Sequence, residues 1–64
     1  MLSDNIKRRR KELTLSQEQL ARKADISYAT LIKLESGANT NPTLKILQQL
    51  SAALGIGIDD LVKE

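Results

Sequence analysis

Apolar residues recur along this chain at helical intervals, and nowhere do they alternate as a strand would. Between residues 17 and 36, Leu20, Ala21 and Ala24 fall at i, i+1 and i+4, one inward stripe of a helix. Leu31 and Leu34, at i and i+3, mark a second helix, and Ile26 sits in the turn between the two helices and plugs the corner. Ala21 is small where two helices crossing steeply over a short turn leave little room. The pattern predicts a helix-turn-helix over residues 17–36. It also assigns Ser27, Tyr28, Ala29, Thr30 and Lys33 to the outward side of the second helix.

Both helices carry end signals. Ser16 followed by Gln19 is a capping box, in which the serine oxygen takes the N3 amide and the glutamine reaches back to the serine amide. Arg22 and Lys23 fall in the last turn, where the dipole favours cations. Asp25 sits at the turn, where a left-handed backbone is expected, a region aspartate enters more easily than most residues. Ser27 caps the second helix, and Gly37 stops it.

The remaining pattern predicts three more helices and a compact five-helix, all-α fold. The first runs from a cap at Ser3 to about Glu12, with Ile6 and Leu13 facing inward. Residues 37–42, GANTNP, form a polar loop. Thr43 caps a fourth helix whose stripe is Leu44, Leu47, Leu50 and Leu54, and Gly55 ends it. Gly57, Asp59 and Asp60 open a short fifth helix, with Ile58, Leu61 and Val62 closing the core. No repeat or linker interrupts residues 1–64, which are read as one domain.

Composition narrows the chemistry. A chain of 64 residues buries only about 60% of its unfolded surface. With no Phe or Trp and a single Tyr28 on the outward side, the core must be aliphatic. Cysteine and histidine are absent, so disulfides, ordinary Cys/His zinc sites and a histidine base are all excluded. An unstapled small domain fits a reducing cytoplasm. No apolar run reaches the roughly 20 residues of a membrane span.

Net charge is only +2, but it is unevenly placed. Residues 1–33 hold eight Lys/Arg against four acids, whereas residues 34–64 hold two against four. The run KRRRK at 7–11 supplies half of the basic residues. Such asymmetry is the footprint of a phosphate binder, although a basic run on an exposed helix can also be merely solvated.

The order of these motifs resembles the Xre/Cro/phage-repressor family of helix-turn-helix proteins. The resemblance rests on LSQEQLARKADIS, TLIKLESG, NPTLKILQQLSAALGI and IDDLV, and covers residues 5–62. It implies a five-helix domain that binds operator DNA, usually as a homodimer on a palindrome. Family members include phage repressors, restriction-modification controllers, stress regulators and antitoxins. A protein partner such as a toxin is therefore the alternative to DNA as the principal ligand.

Residue by residue, the resemblance implies that Gln17 opens the second helix, holds a phosphate and braces the reading helix. Ser27, Tyr28, Ala29 and Lys33 match positions that face base edges, with Thr30 nearer the phosphates. Arg10 matches an arginine that pairs with Glu35. That pairing has an independent reason, because Arg10 falls toward the inward side of the first helix, where an unpaired charge is costly. Asp25 replaces the family's turn glycine. Asn39, Thr40 and Asn41 stand where relatives carry Lys or Arg, so this loop would hold phosphate through neutral hydrogen bonds. Ile32 and Ile46 are apolar where polar residues are common. Each reads either as an exposed isoleucine without consequence, or as a contact, Ile32 with a thymine methyl and Ile46 with a partner.

Nothing supports an enzyme or a cofactor. Asp59 and Asp60 are adjacent and diverge around a helix. Gly55-Ile56-Gly57 lacks the strand-and-helix setting of a phosphate loop. Ser16 and Ser27 are explained by capping and have no histidine partner.

Overall fold

The computed structural model of the chain describes residues 1–64 and contains five helices without strands. These are α1 (Leu2–Glu12), α2 (Gln17–Ala24), α3 (Tyr28–Ser36), α4 (Leu44–Leu54) and α5 (Ile58–Val62). Helix α1 packs against α3 and α5, α2 against α3 and α4, and α4 against α5.

The caps explain where most helices begin and end. Ser16 Oγ accepts from the Gln19 amide at 3.1 Å, and Gln19 Oε1 accepts from the Ser16 amide at 2.8 Å, completing the capping box. Ser27 and Thr43 accept in the same way from the amides of Thr30 and Ile46. Two helix ends close as Schellman motifs, and a third carries only the outer bond of one. After α2, the Asp25 amide donates to Arg22 and the Ile26 amide to Ala21, with Asp25 left-handed at φ 56°. After α1, the Thr14 amide donates to Lys11 and the Leu15 amide to Arg10, with Thr14 at φ 57°. After α4, Gly55 takes φ 67° and the Ile56 amide donates to Ser51.

The core is a single cluster of Ile6, Leu20, Ala21, Ala24, Leu31, Leu34, Leu50, Ala53, Leu54 and Leu61. Burying each Leu or Ile side chain contributes about 1.5–3 kcal/mol. Ile26 does pack against this cluster from the corner of the α2–α3 turn, as do Leu13, Ile46 and Leu47.

Three expectations about helix ends are corrected. Helix α1 begins two residues earlier than a Ser3 cap would allow. Met1 is its N-cap without a side-chain bond, and the Asn5 amide already donates to the Met1 carbonyl at 3.0 Å. Leu2, packed against the core, draws that first residue into the helix. Leu44 does not join the stripe, being 62% exposed, because the first residue of α4 overhangs the core and inward packing starts at Ile46. In α5 only Leu61 is buried. Val62 is 43% exposed, since a five-residue helix presents little more than one turn to the interior.

Candidate nucleic-acid interface

Helix α3 has two chemically distinct sides. Inward lie Leu31 and Leu34, fully buried, and Glu35, only 3% exposed. A carboxylate at that depth requires partners, and it has three bonds. Arg10 donates through Nε to Oε2 at 2.7 Å and through Nη2 to Oε1 at 2.9 Å, a bidentate fork. Gln17 donates through Nε2 to Oε1 at 3.1 Å. The remaining Arg10 nitrogen, Nη1, donates to the Leu15 carbonyl at 2.9 Å. The hydrogen bond to Glu35 raises the Arg10 pKa above its ordinary value. Partial burial opposes this, and the Coulomb attraction to Glu35 adds to it. The expected Arg10–Glu35 pair is thus present, and Gln17 joins it. One carboxylate fixes α1, the start of α2 and the end of α3 together.

The outward side carries Tyr28, half exposed, and Ala29, Lys33 and Ser36, all exposed. Lys33 has no carboxylate within 4.0 Å. Tyr28 stands at the rim of a shallow hollow lined by Glu18, Ala21, Arg22 and Ile26, so one side of its ring borders α2 and the other meets solvent. Ser27 is differently engaged. Its hydroxyl donates to Thr30 Oγ1 at 2.7 Å while accepting from the Thr30 amide at 3.0 Å. The hydroxyl proton of Thr30 is left to donate outward, whereas that of Ser27 is committed to the cap.

Gln17 is the first residue of α2, and the amides of Gln17 and Glu18 have no acceptor within the protein. The side chain and main chain of Gln17 therefore face different tasks, the first holding Glu35 and the second open to an anion. In the α3–α4 loop, Asn39 is held from both ends. Its amide donates to the Lys33 carbonyl at 3.0 Å, and its Oδ1 accepts from the Asn41 amide at 3.0 Å. Thr40 and Asn41 are exposed at the loop's tip.

The basic run 7–11 separates into individual roles. Arg9 Nε donates to the Leu54 carbonyl at 2.9 Å and caps the end of α4, with its Nη1 3.4 Å from Glu12. Lys7 lies 3.9 Å from Asp4. Only Arg8 and Lys11 are exposed with no carboxylate within 4.0 Å. Two structural residues escaped the sequence reading. Arg9 shares the Ile6/Leu13 spacing, which was a legible sign that it turns inward. Asn5, 5% exposed, donates through Nδ2 to the Leu61 carbonyl at 2.9 Å and also to Lys63, holding the end of α5. No signal in the sequence marks it.

This geometry has close counterparts. The helix-turn-helix family profile matches residues 6–61. SinR of Bacillus subtilis (strain 168), an HTH-type transcriptional regulator, is 34% identical over 64 residues, covering all of this chain and 58% of SinR. The immunity repressor protein of Bacillus phage phi105 is 40% identical over 63 residues, 98% of this chain and 43% of that repressor. The chain thus spans about half the length of these curated relatives. The crystal structure of SinR, described as the master regulator for biofilm formation, in complex with DNA matches at 33% identity. Its TM-score is 0.94, over 98% of this chain and 100% of that one. On motif order, fold and these matches together, the chain belongs to the helix-turn-helix family of Xre/Cro and phage-repressor type.

Proposed function

We propose that this chain is the sequence-specific, double-stranded-DNA-binding domain of a transcriptional repressor, acting as a dimer on a near-palindromic operator. The observation that carries the reading is the two-sidedness of α3. Its buried side is locked by Arg10, Glu35 and Gln17, while Tyr28, Ala29 and Lys33 stand outward without internal partners. A rigid helix with an unpartnered outward row suits the major groove.

In this reading Lys33 donates to guanine N7 or O6, and the Tyr28 hydroxyl or ring meets a base edge or sugar. Ala29 and Ser27 permit close approach. The free amides at Gln17, the Thr30 hydroxyl and the loop residues Asn39, Thr40 and Asn41 hold phosphate oxygens, which fix register without reading sequence. The reading carries with it a cytoplasmic location and no catalytic role, and it takes residues 1–64 as one working unit.

A salt titration tests it. Affinity for duplex DNA should fall linearly on a log–log plot, with slope about −0.9 per phosphate neutralised. Gln17→Ala keeps the free amides and removes only the side-chain brace to Glu35, so any loss of affinity should be similar for all sequences. Lys33→Ala and Tyr28→Ala should each lower affinity for a selected site by about 1–3 kcal/mol and relax preference at one or two base pairs. Absence of duplex binding at low salt and micromolar protein would refute the proposal.

A further inference from the structure

The outward side of α3 is not uniformly polar. Ala29, Ile32, Lys33 and Ser36 follow at i, i+3, i+4 and i+7, so they share one side of the helix. Ile32 is half-buried, yet it is not among the apolar side chains packed against the ten-residue core. Ile26, Ile46 and Leu47, of the same burial class, all are. The ten-residue core does not account for Ile32, and part of its side chain stays open to solvent on this side. Its neighbour Ser36 has its hydroxyl engaged, donating to the Lys33 carbonyl at 3.2 Å and accepting from the Ala38 amide at 3.3 Å. What remains on this side is one cation, Lys33, beside two apolar groups, Ala29 and Ile32.

An isoleucine cannot read a hydrogen-bonding edge. Against cytosine it would cover the N4 amine without offering an acceptor, and an unpaired polar group carries a desolvation cost. The one apolar group that B-DNA presents in the major groove is the C5 methyl of thymine. We infer that Ala29 and Ile32 form a methyl-reading patch, in which Ile32 determines specificity for a thymine neighbouring the base contacted by Lys33. The inference rests on the DNA-binding reading above and adds to it a named base and the group through which that base is recognised.

The test starts from duplexes that the chain itself enriches out of a random-sequence library. In the best duplex each thymine is replaced in turn by deoxyuridine, which removes only the methyl group. For the parent chain, at least one replacement per half-site should weaken binding about threefold to fivefold, the range for one buried methyl. Ile32→Ala should bind the thymine and deoxyuridine duplexes equally at that position. Ile32→Gln keeps a long side chain and good helix propensity, and guards against poor folding of the alanine variant; it should show the same indifference. Both variants should keep the parent's salt slope, because no phosphate contact is lost. Indifference of the parent to every thymine methyl would overturn the inference. So would variants that lose affinity but keep the parent's methyl sensitivity. Failure to enrich any sequence is a separate result, and it would overturn the DNA-binding reading together with this inference.

Discussion

Thr14 holds a backbone conformation that its side chain disfavours. At φ 57° its β-branched Cβ crowds the following carbonyl, at a cost of about 1–2 kcal/mol. The position closes the Schellman motif after α1 and is exposed, so the strain is not offset by burial. Thr14→Gly should therefore stabilise the fold by about 0.5–1 kcal/mol, after allowing for glycine's greater freedom in the unfolded chain. The midpoint of a thermal melt should rise by about 4–8 °C per kcal/mol in a domain of this size. A lower midpoint would show that the Thr14 hydroxyl bond to the Leu13 carbonyl outweighs the strain. Nothing in the sequence pointed to Thr14, because a threonine in a short connection carries no sign of positive φ. Asp25 was legible, since it stands where the resemblance places a glycine. Adjacent arginines show the same limit. A count of charge in KRRRK cannot tell that Arg9 caps one helix, Arg10 pins another and Arg8 faces solvent.

Helix starts capped by Ser16, Ser27 and Thr43, and the ends at Asp25, Gly37 and Gly55, were all legible. Their causes lie within four residues of chain. The start of α1 and the exposure of Leu44 and Val62 were not, because these depend on how far each helix overhangs its neighbours. The Arg10–Glu35 tie between α1 and α3 was legible through the resemblance and through helix phase, and so was a brace from Gln17 to α3, although not that its acceptor is Glu35 itself. Removing one member of a buried pair leaves the other without its partner. Glu35→Ala should therefore cost about 3–5 kcal/mol, with Arg10 stranded at 12% side-chain exposure. Thermal denaturation checks this, and a variant that melts with the parent would show the tie to be idle. The pH dependence has a definite sign. Arg10 has a raised pKa in the folded state, so its contribution is complete below its unfolded pKa. That contribution is lost only as pH rises through the still higher folded value. The Arg10 side of the pair should therefore leave no step in stability across the neutral range.

On the scale of the molecule, five of the eight basic residues in the N-terminal half have no carboxylate within 4.0 Å: Arg8, Lys11, Arg22, Lys23 and Lys33. The charge asymmetry seen in the sequence is thus reduced but not erased by folding. The molecule measures 24 × 21 × 19 Å, so two copies lying side by side could present their α3 helices one DNA turn apart, about 34–36 Å. If the chain works as a dimer, sequences enriched from a random library should contain two inverted half-sites at that spacing. Recovery of isolated half-sites alone would contradict the dimer. The surface that a dimer would use was not legible, because no periodic pattern marks one. Exposed Val62 and Met1 belong to no stripe, and exposed Leu44 departs from the one its spacing assigned it.

The placement of the chain's one aromatic ring has an optical consequence. The core is wholly aliphatic, and Tyr28 lies half in solvent on the outward side of α3. Intrinsic ultraviolet emission from residues 1–64 therefore originates beside the proposed DNA contact, and none from the interior of this fold. A ligand seated on α3 will alter that emission, while loss of core packing elsewhere reaches it only weakly. The molecule carries a built-in reporter of occupancy that needs no added label, and the same ring is a poor witness of its own unfolding.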